Sequence, residues 1–458
     1  MSTTPAGAAT TAPLTLRTGC EVHHPGDPGY DRVRMPWNLA VDQRPDVVAL
    51  PRTVEEVVDV VRAAAAAGLR VAPQATGHGA GPLGEQGLTG AVLLRTSALT
   101  GVTVDPVSRT ARVLGGTTWD AVLEAAAPHG LTAAHGSAPD VGVIGYLLGG
   151  GLSFYGRRHG LGVNAVRALD VVLPDGTLRR VDADDAELFW AVRGGGGSVG
   201  VVVAVEIDLL PYPDVVAGML LWGRDRAPEV LRAWREWTTG LPESVTTSLR
   251  VMSFPPLPEL PPFLSGRDVV VVDGALLEDD ERAAALLAPL RALEPEVDTM
   301  GRMPSAGLLA VHMDPPTPVP AVGDHALLGP LDDAADAAFL GQVGPGTRSG
   351  LMFAELRHLG GAFAREPEGG GALSRLSGEY AMLAVAVAPE PGAVVAGRAA
   401  AFAVVRAMAP WTVPGLAPTF AENRVEASRV HAADVLARLL AVRDRVDPDR
   451  VLQPAHSL

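Results

Sequence analysis

The chain has 458 residues, with 37 basic and 52 acidic side chains, and its net charge is −15 at pH 7. Apolar residues make up 47% of the sequence and charged residues 19%, which is typical of a globular protein, and the length predicts two or three domains. Every basic residue is arginine, so chemistry that needs a lysine amine, such as Schiff-base catalysis, is excluded. Cys20 is the single cysteine, which excludes disulfide frameworks and cysteine-based metal centres.

The acidic balance argues against a nucleic-acid partner, because such a surface needs clustered positive charge. Residues 1–14 lack the basic start and apolar core of a signal peptide, and we expect a disordered tail there. No run approaches the ~18 apolar residues of a membrane span. We therefore predict a cytoplasmic protein without a membrane partner, and the Ala-, Gly- and Arg-rich composition suggests a bacterial source.

Residues 43–213 are predicted to form one α/β unit. The segment 46–51 is predicted as a strand, and Thr53 with Glu56 offers a capping box for a helix that ends near Gly68. Further strand-like and helix-like segments alternate up to a buried strand over 199–211, which ends at a proline. Among them, the Pro-Asp-Gly turn at 174–176 predicts a hairpin.

From about Asp214 onward, helix-sized and strand-sized segments are separated by proline-rich loops. This pattern predicts a second domain of α+β type over residues 214–411. The final residues, 412–458, are expected to return to the first domain, which then comprises residues 15–213 and this segment.

Glycine is concentrated in three runs of the first unit, at residues 74–81, 142–151 and 193–200. Such runs let backbone N–H groups approach a phosphate closely. Gly195, Gly197 and Gly200 match a dinucleotide fingerprint, but here the motif follows a helix and opens a strand, which is the reverse of the Rossmann order. We reject a Rossmann site and expect a dinucleotide to be bound in another way.

These runs resemble the motifs of the vanillyl-alcohol-oxidase superfamily (FAD-binding PCMH type), and most closely those of bacterial berberine-bridge-enzyme-like FAD-linked oxidases. The family's R-x-G-G-H element is similar to residues 74–78, and its V-G-V-x-G-x-x-L-G-G-G element is similar to residues 141–151. The segment 187–202, ELFWAVRGGGGSVGVV, resembles a third family element. The resemblance implies a two-domain α+β fold, with substrate bound between the flavin and the antiparallel sheet of the second domain.

The resemblance also implies FAD as cofactor, tethered covalently through His78. Many relatives have a second tether, a cysteine, at the position that Ala138 occupies here, so we expect one bond only. Because lysine is absent, backbone N–H groups of residues 77–79 and 141–145 are predicted to hold the pyrophosphate. The full set of residues expected to contact FAD is Gln74, Ala75, Thr76, Gly77, His78, Gly79, Ala138, Val141, Gly142, Gly145, Gly149, Gly150, Gly151, Gly200 and Val202.

The catalytic base is harder to assign, because the family's usual tyrosine and asparagine near the C-terminus are replaced by Ala417 and Thr419. Our first substitute is Glu355, on a strand expected to face the flavin, followed by Tyr146 in the second glycine run. His358 ranks third, because the period of two along a strand turns it away from Glu355. No spacing of carboxylates and histidines predicts a metal site.

The family resemblance therefore implies an FAD-linked oxidase that takes hydride from a hydroxylated or aromatic small molecule, plausibly in secondary metabolism. Val141 stands where relatives control the access of O2 to the flavin, and its small side chain favours O2 as electron acceptor. The alternative is a cyclase or isomerase that uses FAD without net redox, which the missing tyrosine favours. The substrate and the oligomeric state stay open.

Overall fold

The computed structural model describes residues 18–458, so the predicted tail over 1–14 lies outside the described residues. The first half of the described chain contains the strands β1 (Glu21–His23), β2 (Val47–Leu50), β3 (Arg70–Gln74), β4 (Ala91–Arg95), β5 (Val102–Asp105), β6 (Thr110–Leu114), β7 (Val166–Val172), β8 (Leu178–Val181) and β9 (Val201–Asp208). Its helices are α1 (Tyr30–Arg34), α2 (Val54–Ala66), α3 (Gly81–Gln86), α4 (Trp119–Ala126), α5 (Val143–Leu148), α6 (Gly156–His159) and α7 (Ala186–Val192).

The second half is richer in long strands and long helices. Its strands are β10 (Asp214–Gly223), β11 (Val245–Ser253), β12 (Asp268–Leu276), β13 (Val297–Asp298), β14 (Gly301–Pro304), β15 (Ala321–Leu328), β16 (Phe353–His358) and β17 (Tyr380–Val387). Its helices are α8 (Ala227–Thr238), α9 (Asp280–Arg291), α10 (Asp333–Val343), α11 (Pro391–Ala407) and α12 (Ala433–Val446). The sequence analysis did not identify β15 or α10.

Two sheets build the first half. The first has the order β1-β2-β4-β3, with β2, β4 and β3 parallel and β1 antiparallel at the edge. The second is antiparallel, in the order β5-β6-β9-β7-β8. Helix α2 buries Val57, Val60 and Val61 in a cluster that also contains Val172 and Val201 of the second sheet, so one core joins both sheets.

Local signals placed these elements correctly. The Glu56 N–H donates to Thr53 Oγ1 at 3.2 Å, as in a capping box. The Glu56 carboxylate, however, accepts from the backbone N–H of Arg52 and not from that of Thr53, so the second hydrogen bond of the box is formed one residue earlier. The predicted hairpin joins β7 to β8, and Gly176 takes the left-handed conformation that this turn requires, with φ of 77°. Both predictions are confirmed.

The second half is one eight-stranded antiparallel sheet, in which β16 lies between β11 and β17. One face carries a large apolar core that includes Leu249, Leu356 and Met382, and helices α8–α11 contribute Trp234, Phe339 and other side chains to it. The opposite face carries the polar residues of β11, β12 and β16. The predicted two-domain α+β fold is confirmed, and the exact domain bounds stay predictions.

The last part of the chain packs on the first half. Leu439 and Val442 of α12 belong to the same core as Phe189 of α7, and the Val71 N–H donates to the Val451 carbonyl at 2.7 Å. In the described residues, no helix is long and apolar enough to cross a membrane. Within residues 18–458, no three His, Cys, Asp or Glu side chains form a group that could hold a metal ion.

Candidate active site

A cavity of about 400 Å³ lies where the glycine-rich loops of the first half meet β16 and the C-terminal segment. The loop 73–79 and residues 141–149 form two of its walls, and the run 194–197 forms a third. Arg357 of β16 contributes from the sheet of the second half. The remaining wall comes from residues far along the chain, at 418–422 and 454–458.

His78 lies on this cavity between two side chains that the sequence analysis did not assign. Its ring stacks on the ring of Trp37, with 4.1 Å between centroids and 20° between planes. His78 Nε2 lies 3.1 Å from Asp140 Oδ1, and the Trp37 indole N–H donates to Asp140 Oδ2. Burial alone would raise the pKa of Asp140, but the adjacent His78 and Trp37 hold that pKa below its usual value. Asp140 thus remains a carboxylate facing the imidazole.

Most of the residues expected to contact FAD do line the cavity. At Gly79, Gly145 and Gly197 an added Cβ would meet no protein atom within 4 Å, so the backbone there is open to a ligand. Within residues 18–458, the backbone N–H groups of residues 77–79 donate to no backbone carbonyl. These groups are therefore available to a phosphate. In the second predicted stretch, 141–145, the Val143 N–H already donates to the Thr117 carbonyl at 3.0 Å, and the binding of the pyrophosphate stays a prediction.

Two glycines were assigned wrongly. Gly150 and Gly151 do not line the cavity, because their Cα positions face Leu373 and the ring of Tyr146. A Cβ on Gly151 would lie only 2.4 Å from that ring. These glycines make room for neighbouring side chains and do not approach the ligand.

Gln74 and Ala138 also line the cavity, and each has a clear local setting. Gln74 Oε1 accepts from Arg95 Nη1, so an arginine supports the first loop from outside it. Burial lowers the pKa of Arg95 to about 10, which still leaves it charged at neutral pH. Ala138 presents no thiol, and Cys20 lies elsewhere, against the core around α2.

Glu355 and Arg357 of β16 share one face of the sheet, as the period of two predicts. Arg357 Nε donates to Glu355 Oε1 at 2.7 Å. Glu355 is 2% exposed and Arg357 is 9% exposed, and only Arg357 is among the residues that line the cavity. Glu355 is therefore one contact away from the cavity wall.

His358 is corrected as a candidate base. It lies on the opposite face of β16, where its ring is 5.6 Å from the ring of Tyr380 in the core beneath the helices. Burial, aided by the charge of Arg157, lowers the pKa of His358 to about 3. His358 is therefore a neutral imidazole at pH 7, and it is excluded as the base because it does not line the cavity.

Tyr146 reaches the cavity, but its surroundings suit a donor better than a base. Three glycines make room for its ring, namely Gly136, Gly151 and Gly162, and Trp119 packs against it edge-on at 5.3 Å. Its hydroxyl is buried without a hydrogen-bond partner among the described residues. Burial raises the pKa of Tyr146 well above its usual value, so the phenol keeps its proton.

The C-terminal departures from the family pattern are also visible. Ala417 is 1% exposed and packs in an apolar cluster, whereas Thr419 and Phe420 line the cavity. The Arg357 guanidinium lies 5.1 Å from the centre of the Phe420 ring. No proton acceptor stands at the position of the family's tyrosine.

Besides Trp37, the sequence analysis missed several cavity residues, among them Asn38, Glu422 and His456, and it also missed Asp140 beside His78. They come from both ends of the chain and from residues 136–142. The sequence analysis used that stretch only to note that Ala138 replaces a cysteine. Asn38 Nδ2 donates to Glu422 Oε2 at 3.2 Å, and the chain around Glu422 packs so closely on Gly81 that a Cβ there would lie 1.9 Å from the Glu422 carbonyl oxygen. Such long-range contacts leave no local signal.

Glu422 gives the protein a predicted pH dependence. Burial raises the pKa of this carboxyl from 4.5 to about 7, so folding favours its protonated form. The contribution of the protonated Glu422 carboxyl to the free energy of unfolding is fully present below pH 4.5, and it is lost as the pH rises through 7. We compare the free energy of unfolding of Glu422→Gln with that of the parent at pH 8 and at pH 5. We expect the difference to favour the variant by about 2 kcal/mol more at pH 8 than at pH 5, since one pKa unit corresponds to about 1.4 kcal/mol.

Urea denaturation at the two pH values measures this difference. Glu426→Gln, at an exposed position four residues on, is the matched control and is expected to show no such pH dependence. Equal stabilities of Glu422→Gln and the parent at both pH values would contradict the prediction.

A family model described as FAD binding domain matches residues 45–182 of this chain. The predicted cofactor is therefore confirmed as FAD. Residues 18–458 contain a site that fits it: the open glycine loops accept a phosphate, and His431 Nδ1, His456 Nδ1 and Tyr146 Oη line the same cavity as buried polar atoms without partners.

Curated relatives of this FAD-binding chain are oxidases. The glucooligosaccharide oxidase of Sarocladium strictum is 30% identical over 237 residues, which cover 50% of this chain and 47% of that protein. The (R)-6-hydroxynicotine oxidase of Paenarthrobacter nicotinovorans is 32% identical over 212 residues, covering 46% and 45%. These alignments thus span about half the length of the curated relatives.

Solved structures share the fold over nearly the whole chain. The 6-hydroxy-D-nicotine oxidase of Arthrobacter nicotinovorans superposes with a TM-score of 0.81 at 23% identity, covering 97% of this chain and 98% of that one. BBE-like 1 of Physcomitrella patens gives a TM-score of 0.81 at 19% identity, covering 96% and 97%. The glucooligosaccharide oxidase of Acremonium strictum, at a TM-score of 0.80 and 22% identity over 96% of each chain, has a 6-S-cysteinyl, 8α-N1-histidyl FAD. The predicted resemblance to berberine-bridge-enzyme-like FAD oxidases is confirmed at the level of the fold.

Proposed function

We propose that the protein is an FAD-dependent oxidase that removes hydride from a hydroxylated small molecule and passes the electrons to O2. The observation that carries this proposal is the cavity itself, because one wall belongs to the FAD-binding loops and the facing wall carries Arg357 beside the buried carboxylate of Glu355. A substrate between these walls meets the cofactor on one side and Arg357 on the other, and the Glu355 carboxylate is bonded to Arg357 just outside the cavity wall. FAD supplies the two-electron acceptor when bound.

In this mechanism the chain binds, orients and deprotonates the substrate. Tyr146 donates a hydrogen bond to the substrate from its protonated phenol. Glu355 takes up the proton of the substrate hydroxyl while hydride leaves the carbon that bears this hydroxyl. Arg357 fixes the Glu355 carboxylate through Nε, which restricts its orientation towards the cavity. Glu355 thus takes the role that tyrosine has in the family.

We propose further that FAD is attached through His78 Nδ1 by a single bond. His78 Nε2 faces Asp140 at 3.1 Å, which leaves Nδ1 for the flavin. The Trp37 ring fixes the orientation of the imidazole by stacking. Ala138 offers no second point of attachment. A cytoplasmic location and a place in secondary metabolism belong to the same proposal.

The test of the proposed function is anaerobic mixing of the holoprotein with a panel of hydroxylated small molecules, with flavin absorbance followed over time. Loss of the oxidised flavin band, followed by its return on admission of air, is the expected result. Conversion of a substrate with the band unchanged would support the cyclase or isomerase alternative and contradict the oxidase.

Reoxidation gives a separate prediction at Val141, which lines the cavity. We expect Val141→Leu to slow the reaction of reduced flavin with O2 at least about tenfold, because the additional methylene fills space through which O2 reaches the flavin. Photoreduced protein mixed with aerated buffer measures the rate. Val141→Ala is the matched control and should reoxidise as fast as the parent. Unchanged kinetics in Val141→Leu would show that Val141 only packs.

A further inference from the structure

Arg357 has more hydrogen-bond donors than the protein satisfies. A guanidinium carries five N–H donors. Nε donates to Glu355 Oε1 at 2.7 Å, and within residues 18–458 neither Nη1 nor Nη2 donates to any acceptor. The side chain is nevertheless nine-tenths buried, at 9% exposure for the residue, and it lines the cavity. Both Nη groups are open to the cavity and have no acceptor among the described residues, so they are available to the polar atoms of a ligand.

No neighbouring carboxylate can take these donors. Arg357 lies opposite Ser248 on β11, and Ser248 lies opposite Asp273 on β12, so all three share the polar face of the sheet. Asp273 already accepts from Arg250 at 2.7 Å and from Ser248 at 2.6 Å. Its Oδ1 also lies 3.4 Å from His312 Nε2.

The two guanidiniums of this face are balanced by two carboxylates, so an added substrate carboxylate is fully balanced only once Glu355 is protonated. The pairs Arg250–Asp273 and Arg357–Glu355 are each neutral as ion pairs. Burial would lower the pKa of Arg357, but Glu355 raises it, so the guanidinium keeps its charge. Among the described residues that face it, Glu355 is the carboxylate bonded to Arg357.

We propose that Arg357 Nη1 and Nη2 bind a carboxylate of the substrate, so that the oxidised molecule is a hydroxylated carboxylic acid. The planar fork of an arginine matches the two oxygens of a carboxylate, and the Phe420 ring, 5.1 Å from the guanidinium, restricts its plane. This assignment rests on the proposed oxidase function for the substrate's fate, but not for its binding.

The substrate carboxylate also has a part in turnover. When Glu355 takes up the hydroxyl proton it becomes neutral, and the ion pair with Arg357 is lost. A carboxylate on Nη1 and Nη2 keeps the buried guanidinium paired at that moment. The same group therefore anchors the substrate and lowers the cost of proton transfer to Glu355.

Binding can be tested without turnover, with benzoate as the carboxylate probe and benzamide as its neutral counterpart. Each is titrated into the oxidised holoprotein while the flavin absorbance is recorded. We expect benzoate to bind about 10–100-fold more tightly than benzamide, as charge-assisted hydrogen bonds provide. We expect Arg357→Gln to abolish this preference. Arg348→Gln, at an exposed position in the same half, is the matched control and should keep it.

Since Arg357→Gln leaves Glu355 without its partner, the double variant Glu355→Gln/Arg357→Gln replaces the ion pair by two neutral amides and should also lose the preference. Equal affinity for benzoate and benzamide in the parent protein would overturn the proposal. So would a benzoate preference that survives in both Arg357 variants. If Arg357→Gln changes the flavin spectrum without any probe and leaves benzoate binding intact, the arginine serves the flavin and the proposal is wrong. None of these results depends on whether the protein oxidises a substrate.

Discussion

Replacing Glu355 by glutamine will slow flavin reduction by at least about tenfold, and by as much as ~10⁴-fold if Glu355 carries the whole proton transfer. Glutamine has the shape of glutamate but cannot accept the hydroxyl proton. The amide can still accept from Arg357 Nε, at 2.7 Å in the parent, so the polar face of the sheet should stay folded. Stopped-flow reduction under anaerobic conditions measures the rate.

Two readouts separate a base from a structural residue at this position. FAD content should be unchanged in Glu355→Gln. Glu368→Gln, an exposed carboxylate in a loop of the same half, should reduce at the parent's rate. If Glu355→Gln reduces as fast as the parent, Glu355 is not the base and Tyr146 becomes the next residue to replace.

Replacing His78 by alanine will release FAD from the acid-precipitated protein, whereas the parent will retain it. The reason is that a single bond is expected, with Ala138 at the position of a second tether. Flavin fluorescence on a denaturing gel measures the attachment. His129→Ala, an exposed histidine of the first half, is the matched control and should keep its flavin.

Ala138→Cys extends this test by a gain of attachment. The side chain lines the cavity, so a thiol there meets the flavin, and the double variant His78→Ala/Ala138→Cys should retain covalent FAD where His78→Ala does not. Asp140→Asn should slow attachment through His78, because it removes the carboxylate 3.1 Å from Nε2. Free flavin from the parent protein would contradict the whole scheme.

Sequence reasoning succeeded where the signal was local. Runs of glycine leave the backbone N–H groups unshielded by side chains in any fold. Most of the residues predicted to contact FAD, including His78, therefore do line the cavity. Alternation along β16 correctly put Glu355 and Arg357 on one face and His358 on the other. The assignment of Gly150 and Gly151 failed because a glycine serves a ligand or a packed neighbour equally well, and only the position of the Tyr146 ring distinguishes the two cases.

The residues that sequence reasoning missed depend on contacts between distant parts of the chain. Trp37 and Asp140 are ordinary residues until the fold stacks one on His78 and places the other 3.1 Å from it. The unpaired nitrogens of Arg357 are likewise invisible in the sequence, because they depend on a fold in which Asp273 accepts from Arg250 and Ser248 and Glu355 accepts only from Nε of Arg357.

The wall of the FAD cavity joins distant parts of the chain. Trp37 and Asn38 form one part of it, and residues 454–458 form another, where Gln86 donates to the Ala455 carbonyl at 2.6 Å and accepts from Ser457 at 2.8 Å. The parallel sheet can therefore form without either stretch, but it cannot enclose the cofactor alone. Enclosure of FAD is thus coupled to the docking of both stretches on the glycine loops.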